Sequence, residues 1–348
     1  MAATTVPAMS DQPAPSRDHG PWIDIHAHPG ACHMVGLPSS HPAAKLLSGD
    51  RTADAAGDID RSSVTATSFS TVADLIVLGM GPNGSPGMVR PFSDKEAVVD
   101  HDRQLAAISS IAKTTELEQV RTVADVRRVH SVGSSGYFSS CEGGDFVGTD
   151  PSRIGHAHAH GVCAVTLVHY RVNELGDIQT EDAVHGGLTA VGRDVVQEMN
   201  AFGMVVDLAH ATRDTTADAA AASATPIVIS HSHLASPGAD HPRLLSDDHA
   251  MLVADAGGVI GAWPCGIVSS TLADYAEEIC RLVDLVGVDH VAIGTDMDAN
   301  YRPVLDRYDQ MSTVAAMLAD RGMSGEEVDA VLGGNYLRVW SAAEDAAI

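Results

Sequence analysis

The chain has 348 residues, of which 45% are hydrophobic and only 4% aromatic, so a large core must be built from aliphatic side chains. Acidic residues outnumber basic ones 46 to 21, and a formal charge of −25 argues against nucleic acid or an anionic membrane as partner. Five widely spaced cysteines with no C-x-x-C fit neither a disulfide framework nor a zinc knuckle, and read as reduced core thiols of a cytoplasmic protein.

The first twenty residues lack a basic region followed by an apolar run, so residues 1–20 read as a disordered tail rather than a secretory signal. Residues 21–348 read as one catalytic domain. No stretch approaches about 18 uncharged apolar residues, the length a membrane span needs. From Pro21 onward, short apolar runs alternate with amphipathic segments, the pattern of repeated βα units. The first run is WIDI at 22–25. Residues 39–63, rich in Ala, Ser, Asp and Gly, then read as an insertion after the first strand, either a long excursion on the upper face or a mobile lid. A second strand lies somewhere within 66–78, and 79–91 is a loop by its Gly and Pro content. A helix follows over 93–113, with Ser93 as N-cap and Glu96 at the capping-box position. The third strand ends at Glu142 and the fourth near His169. A helix over 188–202 stops at Gly203, where a C-cap glycine belongs. Strands at 204–210, 226–233, 257–263 and 290–296 alternate with helices at 212–223, 246–256 and 272–286. Eight aliphatic strands, most of them followed by a helix, predict an α/β fold, a closed (β/α)8 TIM barrel of the metal-dependent hydrolase type. An open doubly wound sheet is the alternative, but no G-x-G-x-x-G opens a helix after the first strand.

The C-terminal ends of these aliphatic strands carry ionisable groups. His26 and His28 follow the first strand, Glu142 the third, His169 the fourth, His210 the fifth, His231 the sixth and Asp296 the eighth. In a parallel barrel those ends converge on one rim, where active sites form. A single histidine there would more often be structural; seven groups on one rim carry the signal. In His26-Ala27-His28 the two side chains point to the same side of an extended segment, so both imidazoles reach one ion. Imidazoles with carboxylates suit zinc and similar divalent metals. Glu142 can bridge two ions, with His210 and His231 completing the second site. Two metals about 3.5 Å apart hold a shared hydroxide as nucleophile at neutral pH. Asp296 then sits beside that hydroxide, placed to take its proton and pass it to the leaving group.

Several segments carry a family resemblance. They are CEGG at 141–144, LVHYRVNELGD at 167–177, GLTAVGRDVVQEMNAFGMVVDLAH at 187–210, PIVISHSH at 226–233 and HPRLLSDDHA at 241–250. GGVIGAW at 257–263, HVAIGTDMD at 290–298 and GGNYLRVW at 333–340 complete the series. In order and spacing, from Asp24 to Trp340, the chain resembles the membrane (renal) dipeptidase family of the amidohydrolase superfamily. The resemblance implies a binuclear zinc hydrolase that cleaves dipeptides or dipeptide-like small molecules, often tolerating a D-residue at the C-terminal position, some members opening β-lactams. It implies that His26 belongs to the first metal, Glu142 is the bridge, and His210 and His231 hold the second. His169 would polarise the scissile carbonyl or stabilise the oxyanion, Arg243 would pair with the substrate's carboxylate, and Asp296 would be the proton shuttle. Family members are often dimers, so a homodimer is expected on the resemblance alone.

The departures lie around the pocket. The family's first motif is H-x-D, whereas here it reads His26-Ala27-His28, one negative charge fewer, which makes the metal pair more electrophilic or loosens one ion. Tyr170 replaces the asparagine after the fourth-strand histidine, among the substrate-binding positions. Thr295-Asp296-Met297-Asp298-Ala299 stands for S-D-F-D-G, and the segment after His231 is altered. These changes keep two alternatives open: a specialised amidohydrolase for another amide, lactam or ester, and an inactive metal-binding homologue.

Other features are weighed against plainer roles. In GHAHAH at 155–160, His156 and His160 have the i, i+4 helical spacing of an accessory metal pair, but His156, His158 and His160 read better as solvated surface histidines. His33 and His233 either line the pocket or serve loops. Asp207 and Asp298 are expected to orient ligand imidazoles, and Cys141 to pack behind the site. GGNYLRVW reads as a left-handed helix stop followed by a packing segment.

Overall fold

The aliphatic runs fold as eight parallel strands: β1 (Trp22–Asp24), β2 (Val64–Val72), β3 (Gly136–Glu142), β4 (Val162–Thr166), β5 (Val205–Asp207), β6 (Val228–Leu234), β7 (Val259–Ala262) and β8 (Val291–Ile293). The computed structural model describes residues 17–41, 50–81, 86–236, 238–239 and 241–348. Sequence neighbours are hydrogen-bonded neighbours from β1 round to β8. The ring closes where Ile25 N donates to Ile293 O at 2.9 Å, and beyond the strands where Asp296 N donates to His26 O (2.8 Å) and His28 N to Met297 O (2.9 Å). The (β/α)8 barrel expected from the alternation is the fold, with every strand inside or overlapping its expected run.

One hydrophobic cluster takes a side chain from each strand: Ile23, Ala66, Phe138, Ala164, Val205, Val228, Val259 and Ala292. Three of the eight are alanine, and the space goes to Tyr336 and Trp340 of the C-terminal helix Asn335–Ala346, whose rings lie 5.9 and 5.2 Å from Phe138. Phe138, Tyr336 and Trp340 thus plug the N-terminal end of the barrel, and the strands' C-terminal ends are left for the site. A second, larger cluster packs the outer strand faces, including Val165, Val206, Ile229 and Ile260, against the helices.

Local differences from the sequence reading have physical causes. GGNYLRVW contains no left-handed stop: a π turn, Ala330–Gly334, runs straight into the C-terminal helix. A Cβ on Gly333 would lie 2.0 Å from Pro21 O, so this glycine serves a close approach to the start of β1. Within the segment read as an excursion or lid, Thr52–Asp60 is a helix that packs beside β2, while 42–49 lie outside the described residues. The helix expected from 93 begins at Glu96, with Lys95 as its left-handed cap. Glu96 does accept from the Ser93 N–H, as a capping box requires, but the Ser93 hydroxyl donates to that carboxylate instead of accepting from a helix N–H, so Ser93 is not the N-cap; Arg90 also holds the carboxylate. Gly203 does close the helix Ala190–Ala201 at φ +68°, with Met204 N on Met199 O and Gly203 N on Asn200 O, the paired bonds of a Schellman stop. Of the expected tail, residues 1–16 lie outside the described residues; from Arg17, which donates to Val64 O and Ser135 Oγ, the chain is held, and His19 stacks on Trp22 at 3.9 Å. Among the described residues no helix is long and apolar enough to cross a membrane.

Candidate metal centre

The seven ionisable groups expected on the rim come together there. Glu142 is the last residue of β3 and His231 lies in β6. His169, His210 and Asp296 each stand three residues past a strand, and His26 and His28 follow β1. None is more than 8% exposed. His210 (φ +67°) and Asp296 (φ +53°) adopt left-handed backbone that non-glycine residues enter at a cost. That cost is offset by long-range bonds: Gln179 N donates to His210 O at 2.8 Å, and Asp296 N to His26 O at 2.8 Å.

Glu142 sits at the centre. Its Oε1 lies 3.4 Å from His26 Nε2, 3.0 Å from His210 Nε2 and 3.5 Å from His231 Nε2. Its Oε2 lies 3.2 Å from His28 Nε2 and 3.4 Å from His169 Nε2. His28 Nε2 is also 3.5 Å from Asp296 Oδ1, and His210 Nε2 is 3.1 Å from His231 Nε2. One carboxylate cannot satisfy five ring nitrogens, and His26 Nε2 and His28 Nε2 have no hydrogen-bond partner among the described residues although both are buried. Leaving such atoms unpaired is costly, whereas lone pairs converging on a carboxylate suit a divalent cation. Two groups have donor atoms close enough to share an ion, His26–His28–Glu142 and Glu142–His169–His210. Nitrogen and oxygen donors of this kind fit zinc and its neighbours. His231 contacts Glu142 Oε1 and His210, and stacks on His26 at 4.3 Å.

A further layer sets the ring orientations. His28 Nδ1 donates to Ser70 O (3.0 Å), which leaves Nε2 as the free nitrogen. His231 Nδ1 pairs with Ser230 Oγ (3.1 Å), which in turn donates to Asp207. Among the described residues Asp207 therefore hydrogen-bonds no imidazole directly and reaches His231 through a serine. Asp298 does not orient an imidazole: its carboxylate accepts from Gly30 N and Arg51. His169 Nδ1 meets Asp74 Oδ1 at 2.7 Å.

The charges follow from this packing. Burial alone would raise Glu142, but His169 and His26 beside it hold its carboxyl well below the usual range. Burial and the adjacent Glu142 push Asp296 up to about 6. Burial lowers His210 and His231, keeping them neutral, the form that binds metal. For His169 burial is outweighed by Asp74 and Glu142, which raise it to about 9.

Arg243 is 1% exposed and lies against this centre. Its Nη1 donates to Gln179 Oε1 (2.7 Å), Nη2 to His231 O (3.4 Å), and Cζ lies 5.4 Å from the Trp263 ring centroid. Its Nε has no partner among the described residues. The Tyr170 ring packs edge-on at 4.5 Å from His169 and 5.0 Å from His210. His33 joins the site, its ring 4.7 Å from His28. His233 does not, since it faces outward to Leu234 O and Glu278. His156 pairs with Asp102 on the surface and belongs to neither candidate group. Cys141 packs behind the site, its Sγ 3.1 Å from His101 Nε2. Sequence reasoning missed Asp74, Gln179, Trp263 and Ser70. Asp74 alone left a signal, a carboxylate interrupting the aliphatic run read as the second strand.

Comparison with known proteins gives the family and the fold of the chain. The profile of membrane dipeptidase (peptidase family M19) matches residues 85–348. Dipeptidase tcpJ of Claviceps purpurea is 30% identical over 241 residues, 66% of this chain and 56% of its own length. Dipeptidase verJ of Clonostachys rogersoniana is 31% identical over 235 residues, 66% of this chain and 60% of its own. The match thus spans little more than half the length of these relatives. A metallo peptidase from Rhodobacter sphaeroides, solved with a phosphinate mimic of the dipeptide L-Ala-D-Ala, shares the fold with a TM-score of 0.75 at 18% identity, over 94% of this chain and 100% of that one.

Proposed function

The chain belongs to the membrane dipeptidase family, peptidase family M19, and from that premise we propose that it is a binuclear zinc hydrolase cleaving the amide bond of a dipeptide or dipeptide-like small molecule with a free carboxylate. The observation that carries this reading is the Glu142 carboxylate, with five imidazole nitrogens 3.0–3.5 Å from its two oxygens. His26, His28 and Glu142 would hold one ion, and Glu142, His210 and His231 the other. Bound there, the ions supply Lewis acidity, polarising the scissile carbonyl and making water a competent nucleophile at neutral pH.

The protein's own groups do the rest. Asp296, raised to about 6 by burial and Glu142, takes the proton of the attacking water and returns it to the leaving amine. His169 presents Nε2 to the reacting carbonyl and stabilises the negative charge that develops on its oxygen. Arg243 receives the substrate carboxylate beside Tyr170. The same reading makes residues 21–348 one catalytic domain of a cytoplasmic protein, supported by five unpaired cysteines, four of them buried. A homodimer belongs to it as well, to be measured by light scattering.

The test is turnover of L-Ala-D-Ala, L-Ala-L-Ala and a wider dipeptide panel by chelated and zinc-reconstituted protein, with metal counted by mass spectrometry. Amino acids released only by the reconstituted form are expected. A fully metallated protein that releases none sinks the reading. A second reading, a specialised amidohydrolase for another amide, lactam or ester, is favoured by Arg243 being sealed beneath Gln179 and Trp263. Turnover of β-lactams or N-acyl amino acids in place of dipeptides would select it.

A further inference from the structure

The loop after β2 carries a carboxylate that the reaction outlined above leaves without a task. Asp74 is completely buried. One oxygen accepts from His169 Nδ1 at 2.7 Å and the other from the backbone N of Tyr170 at 3.1 Å. We infer that Asp74 is the positioning residue of the reaction, fixing the His169 ring with Nδ1 tied back and Nε2 turned to the substrate carbonyl. This rests on the reading that His169 touches that carbonyl.

His169 stands three residues beyond β4, so no strand ladder fixes its backbone or its ring. A half-turn about the Cβ–Cγ bond would exchange the places of Nδ1 and a ring carbon, and turn Nε2 away from the centre. Only a strong acceptor on the Nδ1 side forbids that rotation, and a buried carboxylate is the strongest available. Binding the next residue's N–H with its second oxygen, Asp74 fixes main chain and ring together. The neighbouring Arg171 is fastened separately, to the buried Asp145 (2.6 Å) and to Glu174. Anchoring of the loop therefore does not depend on Asp74 alone, and the oxygen on the ring has its own purpose. Asp74 cannot itself be an acid or base for substrate, because both oxygens are occupied and neither is exposed.

The experiment is a double-mutant cycle in zinc-reconstituted enzyme with L-Ala-D-Ala as probe, using Asp74→Ala, Asp74→Asn, His169→Ala and the double variant. It is accompanied by metal counting, melting temperature and long-range proton–nitrogen spectra of histidine-labelled protein. Either Asp74 variant should lower kcat about 10–100-fold, the usual loss on removing such a partner. KM and zinc content should stay near parental values. In the His169→Ala background the Asp74 substitution should cost nothing more. In the spectra, the His169 signals should show a proton on Nδ1 in the parent and lose that fixed pattern in Asp74→Ala. An equal kcat loss with and without the His169 side chain, or spectra that Asp74→Ala leaves unchanged, would overturn the inference. The spectra decide it even where L-Ala-D-Ala is not hydrolysed. Parental kcat in His169→Ala, with the spectral response to Asp74→Ala intact, would instead remove the catalytic role of His169 and leave its positioning by Asp74 standing.

Discussion

His28 replaces a carboxylate that the family resemblance leads one to expect, and removing its ring tests the metal centre most directly. On the proposed partition, His28→Ala would take one of the three protein donors of the first site, leaving His26 and Glu142, and none from the second. Zinc sites with four donors bind with roughly 10–16 kcal/mol, so one donor is worth about 2.5–4 kcal/mol. At about 1.4 kcal/mol per decade, the weaker zinc should loosen by about a hundred- to a thousandfold. The substitution also leaves the Ser70 carbonyl, which His28 Nδ1 satisfies at 3.0 Å, with the weak Cys32 S–H donor at 3.6 Å in place of an N–H. An under-satisfied buried acceptor costs about 1–3 kcal/mol. With a melting entropy of about 2.1 cal/mol/K per residue over 348 residues, the metal-free Tm should fall by about 1–4 °C. The assay is zinc titration against a competing chelator, read as two binding steps, beside melting curves of chelated protein. One step should move and the other stay. His28→Asp should restore the weakened step to within about tenfold of parent, since a carboxylate is also a competent ligand. Two steps that shift together, or neither shifting, would show that His28 is not a ligand of one ion, and the partition of the centre would fall with it.

Asp296→Asn keeps the size of the group and removes its proton-accepting capacity; kcat should fall by about 10²–10⁴ with both zinc ions retained, checked by kinetics and metal counting on the same sample. Arg243→Gln should raise KM for a dipeptide by about 10–100-fold, the worth of about 1.5–3 kcal/mol in charged hydrogen bonds, while KM for the matching dipeptide amide, which has no carboxylate, should hardly move. Glu278, facing His233 and Arg281, is pushed up to about 7 by burial. A carboxyl raised in the folded state binds protons more tightly there than in the unfolded chain, so its contribution favours folding at low pH and is lost as pH rises from about 4.5 to about 7. Urea unfolding of Glu278→Gln should therefore show a flatter fall in stability over that window than the parent, and parallel profiles would refute the assignment.

The barrel was legible because its strands are short apolar runs, six of the eight carrying an ionisable group at or just past the C-terminal end. That signal needs only local sequence, and all eight runs held strands. What failed was what depends on distant partners. The second strand, read somewhere within 66–78, ends at Val72, and nothing local shows that Asp74 just beyond it meets His169, 95 residues away. Asp298, two residues past Asp296, is expected from the sequence to orient a ligand imidazole. Its φ of +64° turns it instead toward Gly30 and Arg51. Gly333 carried the sign of a helix stop, and only the approach of Pro21 reveals that it is needed for space. Gln179 and Trp263 sit at positions with no periodic or charged signature, so their contacts with Arg243 emerge only once the chain has closed on itself.

That closure joins fold and chemistry. The seam between β8 and β1 is held by few strand hydrogen bonds and continues through the residues of the site: Asp296 N on His26 O, His28 N on Met297 O, and Thr295 donating from both N and Oγ1 to Asp24. The backbones that present His26, His28 and Asp296 are therefore also the ones that shut the barrel, across 271 residues of sequence. The left-handed turn at Asp296 is tolerable only while that seam is intact. A ligand that binds the completed centre and not the open chain must, by linkage, stabilise the closed seam. Metal occupancy and barrel closure should then rise and fall together, with strands β2 to β7 less sensitive to metal than the seam. Hydrogen exchange at Ile25, His28 and Asp296 in chelated and zinc-reconstituted protein measures this directly. Protection gained at these three amides well beyond that at Val165 or Val206, in the middle of the sheet, is the expected pattern, and uniform protection throughout would show that the seam is not the element the metal locks.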